Sequence, residues 1–214
     1  MPHTPGHPPP PGQPRSRATM GRLLAAVEEA IAERGVASLT VQEVARRAGL
    51  AAGTLYTRFA GKDALLRAFT VAFFARARRT ADSLFEDQRW RALPPRELVA
   101  ALVRVLVKSY RAKRGLLRAL HLYVRSHPDS EFQRQAAAFN ADLVRRLTAL
   151  LLLRRDAIRS LAPERAVVLG FLIVDAAAKE TVLFSDARPP DLAISDDELI
   201  DLLSDVYCRQ LALP

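Results

Sequence analysis

The chain has 214 residues, a formal net charge of +9 and a sequence pI near 10.5. Half of the residues are hydrophobic, which is enough for a packed core, and the length corresponds to one or two domains. The single cysteine, Cys208, excludes an intramolecular disulfide framework and a zinc site built on paired cysteines, and it fits a reducing compartment.

The N-terminal segment is rich in proline and has no apolar core of the kind found in signal peptides. Because proline lacks a backbone N–H and fixes φ, we expect residues 1–16 to form a disordered tail. No stretch reaches the ~20 continuous apolar residues of a membrane span, since even residues 166–184 are interrupted by Asp175, Lys179 and Glu180. We therefore expect a cytoplasmic protein with no membrane partner.

From residue 17 onward the apolar residues recur with a helical period, and no segment shows the alternation typical of a strand. The expected helices cover residues 17–34, 41–48, 52–59, 62–85, 94–113, 115–126, 130–155, 163–184 and 196–211. Pro189 and Pro190 are expected to interrupt helical structure before the last helix. Ser195 and Glu198 would form a capping box at the start of that helix. The sequence thus predicts an all-α protein of roughly nine helices, with a division near Gly61.

One short segment predicts two helices joined by a tight turn. Thr40 and Glu43 have the T-x-x-E spacing of a capping box, so a helix should start at Val41. Gly49 stands where the turn needs a positive φ, and Leu55 returns the chain to the core. This arrangement is a helix-turn-helix, whose second helix enters the major groove of DNA.

A longer run of residues surrounds this motif: Ala32-Glu33-Arg34-Gly35, Leu39-Thr40-Val41, Val44-Ala45-Arg46-Arg47-Ala48-Gly49-Leu50, Gly53-Thr54-Leu55-Tyr56, Phe59, Lys62 and Leu65-Leu66. Together these residues resemble the N-terminal DNA-binding domain of the TetR family of transcriptional regulators. The resemblance covers residues 22–69, which is about a quarter of the chain. It implies a helix-turn-helix domain over residues 17–61 and a ligand-binding and dimerisation domain over residues 62–214.

The resemblance implies three phosphate contacts. Thr40 and Tyr56 would hold DNA phosphates through their hydroxyls, and Lys62 would do so with its charge at the start of the fourth helix. Each has a plainer interpretation: Thr40 as a cap only, Tyr56 as a half-buried core residue, and Lys62 as surface charge.

Base contacts are implied for the recognition helix. Thr54 and Thr57 can reach base edges, and Arg47 is a further candidate for a base or a phosphate, although it also fits a solvated face. Ala51 stands where the family usually carries a Ser or Thr cap, and Ala52 is short at a position often used for base reading. These departures leave the operator sequence open and suggest a contribution from DNA shape.

In this family the C-terminal part binds a small molecule and forms the dimer, here through the helices at residues 163–184 and 196–211. Polar candidates for ligand contacts interrupt apolar helix faces, namely Tyr110, His121, Arg125, Asn140 and Asp175, and Phe171 is a candidate for the aromatic wall of the site. The plainer interpretation is ordinary core packing, with Asp175 and Lys179 forming a helix pair.

The resemblance therefore implies a homodimeric repressor that a small-molecule effector releases from palindromic operator DNA, with no cofactor and no metal site. Two alternatives stay open. One is a sequence-tolerant or architectural DNA-binding protein without an effector, favoured by the short side chains of Ala51 and Ala52. The other is an all-α enzyme on the same fold, disfavoured because the sequence contains no enzyme motif.

The positive charge does not follow the motif. Residues 1–62 carry 8 basic and 4 acidic residues, a net +4; residues 63–127 carry 14 and 5, a net +9; residues 128–214 carry 10 and 14, a net −4. The charge supports general attraction to DNA, and the acidic last third suggests that the dimerisation end faces away from it.

Overall fold

The computed structural model describes residues 14–185 and 193–214, and within these ranges the chain forms ten α-helices and no β-strand. The helices are α1 (Pro14–Arg34), α2 (Val41–Ala48), α3 (Ala52–Arg58), α4 (Lys62–Glu86), α5 (Arg89–Ala92), α6 (Pro95–Ala112), α7 (Arg114–Ser126), α8 (Glu131–Leu152), α9 (Pro163–Leu183) and α10 (Asp196–Gln210). The predicted all-α class is confirmed.

Three features differ by more than one residue from the sequence-based prediction. Helix α1 begins at Pro14 and not at residue 17, since proline is tolerated in the first turn of a helix. The extra helix α5 has four residues, too few for an apolar period to reveal it. Helix α8 ends at Leu152, and a short 3-10 turn follows at Arg155–Ala157. The expected disordered tail covered residues 1–16, and it was wrong for residues 14–16, which form the first turn of α1. Residues 1–13 and the expected break at Pro189–Pro190 lie outside the described residues.

The first apolar cluster is built around α1. Its buried members include Val27 and Ile31 of α1, Val44 of α2, Leu55 of α3, Leu65 and Phe69 of α4, Leu116 and Leu120 of α7, and Phe132 of α8. The predicted boundary near Gly61 falls inside this cluster, because the first half of α4 belongs to it. Helix α7 therefore packs directly against α1, and α8 packs against α4.

The second apolar cluster is formed by α6, α8, α9 and α10. Its buried members include Val99 and Val107 of α6, Leu151 of α8, Val167 and Val182 of α9, and Ile200 of α10. Helices α9 and α10 cross closely at Gly170, and the Tyr207 hydroxyl donates to the carbonyl oxygen of Val167 at 2.9 Å. The capping box predicted for α10 is confirmed, since both of its reciprocal hydrogen bonds between Ser195 and Glu198 are present.

The described residues contain no helix that is long and apolar enough to cross a membrane. The same ranges contain no group of three or more His, Cys, Asp or Glu side chains placed to hold a metal ion. Cys208 is a buried free thiol, and burial raises its pKa, so it stays protonated as a packing residue.

Candidate nucleic-acid interface

The helix-turn-helix takes its shape from hydrogen bonds at the two ends of α2. Thr40 precedes the helix with an extended backbone (φ −128°, ψ 151°), and its Oγ1 accepts from the N–H of Glu43 at 3.2 Å. Gly49 follows the helix in the left-handed region (φ 65°, ψ 38°), where a Cβ would be strained. The N–H of Leu50 then donates to the carbonyl oxygen of Ala45 at 2.9 Å. The predicted helix start and glycine turn are therefore confirmed.

The capping box predicted for α2 is only half formed. In a full box the Glu43 carboxylate would reach back to the N–H of Thr40. It instead accepts hydrogen bonds from Arg46 at 2.8 and 3.0 Å and from Arg47 at 2.7 Å. These bonds lower the pKa of Glu43 from 4.5 to about 2. The prediction of a reciprocal box was wrong because two arginines one turn away compete for the carboxylate.

Arg47 joins α2 to α1. Its guanidinium donates to both carboxylate oxygens of Glu33 at 2.9 and 2.5 Å, while its Nε donates to Glu43 at 2.7 Å. The hydrogen bonds from these carboxylates raise the pKa of Arg47, and only 12% of its side chain is exposed. We call this group the Glu33–Arg47–Glu43 clamp. In this arrangement Arg47 holds α2 against α1, and its contact with DNA stays a prediction.

Helix α3 exposes three polar side chains to solvent. Leu55 is buried in the first cluster, whereas Thr54, Tyr56 and Thr57 are exposed. Tyr56 is 49% exposed, which disfavours the interpretation as a core tyrosine. The Thr57 hydroxyl donates to the carbonyl oxygen of Thr54 at 2.9 Å, so its oxygen is left to accept from an outside donor. The structure thus places these three candidates on one exposed helix.

Lys62 begins α4 and reaches the turn between α1 and α2. Its Nζ donates to the carbonyl oxygen of Ala37 at 2.6 Å, so the ammonium lies near the loop that leads to Thr40. An ammonium has three donors, and the bond to Ala37 uses one of them. Lys62 is therefore anchored near the phosphate-contact candidate Thr40 while keeping donors for a DNA phosphate.

The N-terminus of α3 has no side-chain cap, because the residue before the helix, Ala51, has no hydrogen-bonding side chain. A Cβ built on Gly53 meets no atom within 4 Å, so small residues leave open space at the start of this helix. Arg58 is exposed at the other end of α3 and adds a cation to its surface. The direction of the Arg58 side chain could not be predicted from the sequence, because it depends on how α3 packs.

Three of the ligand-binding candidates come together where α6, α7 and α9 meet. The Tyr110 hydroxyl donates to Asp175 Oδ1 at 2.5 Å, and Lys179 Nζ donates to Asp175 Oδ2 at 2.5 Å. His121 Nδ1 lies 2.8 Å from the carbonyl oxygen of Leu117. Burial lowers the pKa of His121, and burial together with the Asp175 charge raises the pKa of Tyr110. We call Tyr110, His121, Asp175 and Lys179 the polar cluster of the bundle.

The other ligand-binding candidates are less closely associated with this cluster. Arg125 is exposed one turn after His121 on α7, and Asn140 is exposed on α8. Phe171 is partly buried against the second apolar cluster. Ligand contact stays a prediction for all of these residues.

The N-terminal domain matches known sequences. The profile of the family described as "Bacterial regulatory proteins, tetR family" matches residues 23–69. Over 76 residues the chain is 43% identical to the HTH-type transcriptional repressor KstR2 of Mycobacterium tuberculosis. That match covers 34% of this chain and 37% of KstR2, so the chain spans little more than a third of the length of the curated relatives it matches.

Solved structures of the same fold cover nearly the whole chain. The TetR transcription regulator of Haloarcula marismortui aligns with a TM-score of 0.69 at 21% identity, over 92% of this chain and 98% of its own. FadR of Bacillus subtilis, solved in complex with stearoyl-CoA, aligns with a TM-score of 0.65 at 17% identity, over 90% of this chain and 98% of its own. Over residues 23–69 the chain is thus similar to the TetR family of bacterial regulatory proteins, and it shares its fold with solved structures of regulators of that family.

Proposed function

We propose that this protein is a homodimeric transcriptional repressor that binds a palindromic operator and is released by a small-molecule ligand. The observation that supports it most is that Thr54, Tyr56 and Thr57 are all exposed on α3, within a helix-turn-helix that matches the family profile. Repression is supported by the name of KstR2, which is similar over the N-terminal part. A non-enzymatic role in the cytoplasm follows from this proposal.

The experiment that tests operator recognition is selection from random duplexes, followed by titration of the selected site and of bulk DNA at one salt concentration. A regulator should prefer one palindrome by about a thousandfold or more. Comparable affinities for both DNAs would contradict the proposal and favour the sequence-tolerant, architectural alternative.

Lys62 provides a test of the phosphate contacts. Lys62→Ala should weaken binding to every sequence and lower the slope of log affinity against log salt by about one, because one phosphate loses its counter-charge. Arg91→Gln is the control, since Arg91 is exposed on α5, outside the proposed interface. An unchanged slope in Lys62→Ala would remove Lys62 from the phosphate contacts and leave it as an anchor for Ala37.

The ligand is proposed to contact the polar cluster of the bundle. Tyr110 and Asp175 come from different helices, so a ligand that enters between them can separate α6 from α9. By reciprocity, operator DNA must weaken ligand binding by the same factor by which the ligand weakens DNA binding. This provides a route from ligand to DNA through the spacing of the two recognition helices, about 34 Å in a dimer on one face of DNA.

Thermal-shift titration tests this site, with stearoyl-CoA as the first probe because it is the ligand named for the Bacillus subtilis FadR structure. A compound that stabilises the protein should lose affinity in Tyr110→Phe and in Asp175→Asn. Unchanged affinity in both variants would exclude the polar cluster from the ligand site while leaving the DNA-binding proposal intact.

A further inference from the structure

A groove of about 680 Å³ lies between the end of α1 and α7. None of the residues that line it belongs to the polar cluster of the bundle. One wall is the end of α1 and the turn that follows it, residues 32–37, and the other wall is the length of α7 from Arg114 to His127. We call it the α1–α7 groove. Its volume is in the range of sites that bind small organic molecules.

The charge in this groove is mainly positive. Three arginines line it, Arg34, Arg114 and Arg118, and the one acidic residue in its lining is Glu33, whose two carboxylate oxygens are bound by Arg47. The guanidinium of Arg34 is exposed and forms no salt bridge with any residue that the structure describes. The groove therefore favours an anion, and Arg34 is the cation with most freedom to meet it.

The same groove has an apolar and aromatic wall. Leu122 is 49% exposed, so a large apolar side chain is open to the groove. The rings of Tyr123 and His127 stack beside it with centroids 4.3 Å apart and an angle of 19° between their planes. A flat apolar body can cover Leu122 and lie against this stacked pair.

We propose that the α1–α7 groove binds a small amphipathic anion, with a planar apolar body on Leu122 and Tyr123 and an acidic group at Arg34. The site is separate from the ligand site proposed in the bundle. Its walls belong to the helix-turn-helix domain on one side and to α7 on the other. At the base of the groove a Cβ on Gly115 would lie 3.0 Å from the carbonyl oxygen of Ala32, so these two walls are in direct contact.

The test uses anilinonaphthalene sulfonate, an amphipathic aromatic anion that becomes fluorescent when it leaves water. The full chain is titrated without DNA, so the result does not depend on the proposed regulatory function. We expect Arg34→Gln and Leu122→Asp each to raise the Kd about tenfold. Arg34→Lys should restore most of the affinity because it keeps the charge. Arg91→Gln, the matched exposed arginine on α5, should leave the Kd within about twofold.

Amide chemical-shift changes locate the bound probe. Changes centred on Gly35, Ala37 and Leu122 would support the groove. Wild-type affinity in both Arg34→Gln and Leu122→Asp, or changes centred on the exposed face of α9, would overturn it. So would an Arg34→Gln variant that binds the probe normally but lowers the salt slope of DNA binding by about one, because Arg34 would then contact a DNA phosphate.

Discussion

The Glu33–Arg47–Glu43 clamp fixes how α2 lies against α1, and α2 in turn carries the turn that positions α3. Arg47 is bound through both of its terminal nitrogens to Glu33, a geometry that restricts orientation as well as distance. Removing Glu33 has opposite consequences in the two possible roles of Arg47. If Arg47 only contacted DNA, loss of a nearby negative charge would strengthen DNA binding. If Arg47 acts by positioning, the same loss weakens it.

We predict that Glu33→Ala weakens operator binding several-fold without changing the salt slope. The effects of Glu33→Ala and Arg47→Ala should be less than additive in the double variant, because either change removes the Glu33–Arg47 interaction. Equilibrium titration of the wild type, both single variants and the double variant measures this. Additive effects, or a lower salt slope in Arg47→Ala, would instead make Arg47 a direct DNA contact.

At the scale of helices, α3 is the recognition element and its N-terminus lacks a side-chain cap. In Ala51→Ser the new hydroxyl should accept a hydrogen bond from an N–H of the first turn and stabilise the helix by about 1 kcal/mol. Hydrogen exchange of the α3 amides measures the local effect. Ser195→Ala is the reverse control, because it removes an existing cap from α10 and should cost about the same. Equal exchange in Ala51→Ser and wild type would mean that another group already satisfies these donors.

Helices α9 and α10 depend on a glycine at their crossing. A Cβ on Gly170 would lie 2.4 Å from ring atoms of Tyr207, whose hydroxyl is bound to the Val167 carbonyl. Gly170→Ala should therefore lower the free energy of unfolding by about 1–3 kcal/mol through overpacking. Gly21→Ala is the control, because its Cβ meets no atom within 4 Å and alanine favours a helix interior. Denaturant unfolding of both variants measures the difference, and a neutral Gly170→Ala would show that Tyr207 moves aside.

At the scale of the molecule, the positive middle of the chain is partly neutralised by its acidic end. Arg104 and Arg111 of α6 pair with Asp197 and Asp196 in the first turn of α10, at 3.2 and 2.6 Å. The net +9 of residues 63–127 therefore does not form one free basic surface. These exposed pairs contribute little to stability, but they join α6 to the first turn of α10 at two points.

The sequence predicted features that are encoded locally, and it did not predict contacts between residues far apart in the chain. Thr40, Gly49 and Leu55 predicted the helix-turn-helix because caps, turns and apolar period are encoded within a few residues. The bond between Glu33 and Arg47 spans 14 residues and depends on the angle at which two helices cross. The meeting of Tyr110 with Asp175 spans 65 residues and depends on the packing of the whole bundle, so the sequence named both residues without showing that they touch.

The proposed dimer requires a covered apolar face, and α9 has one exposed in the single chain. Val168, Leu169, Leu172 and Ile173 of α9 and Leu202 of α10 are large apolar residues that remain accessible to solvent. They lie on the two helices that also form the second apolar cluster, so a rigid surface supports them. An exposed apolar face of this kind favours association with a second copy.

Leu172 lies within this face and is 58% exposed, so Leu172→Asp should convert the dimer to a monomer while the fold is retained. Leu153→Asp is the matched control, since Leu153 is 62% exposed but follows α8, outside the face. Sedimentation velocity measures the assembly, and titration with a full palindrome and with one half-site measures its consequence. The monomer should bind both DNAs with similar, weak affinity, because it loses the second recognition helix about one DNA turn away. A wild-type chain that sediments as a monomer on a single half-site would contradict both the dimer and the spacing mechanism.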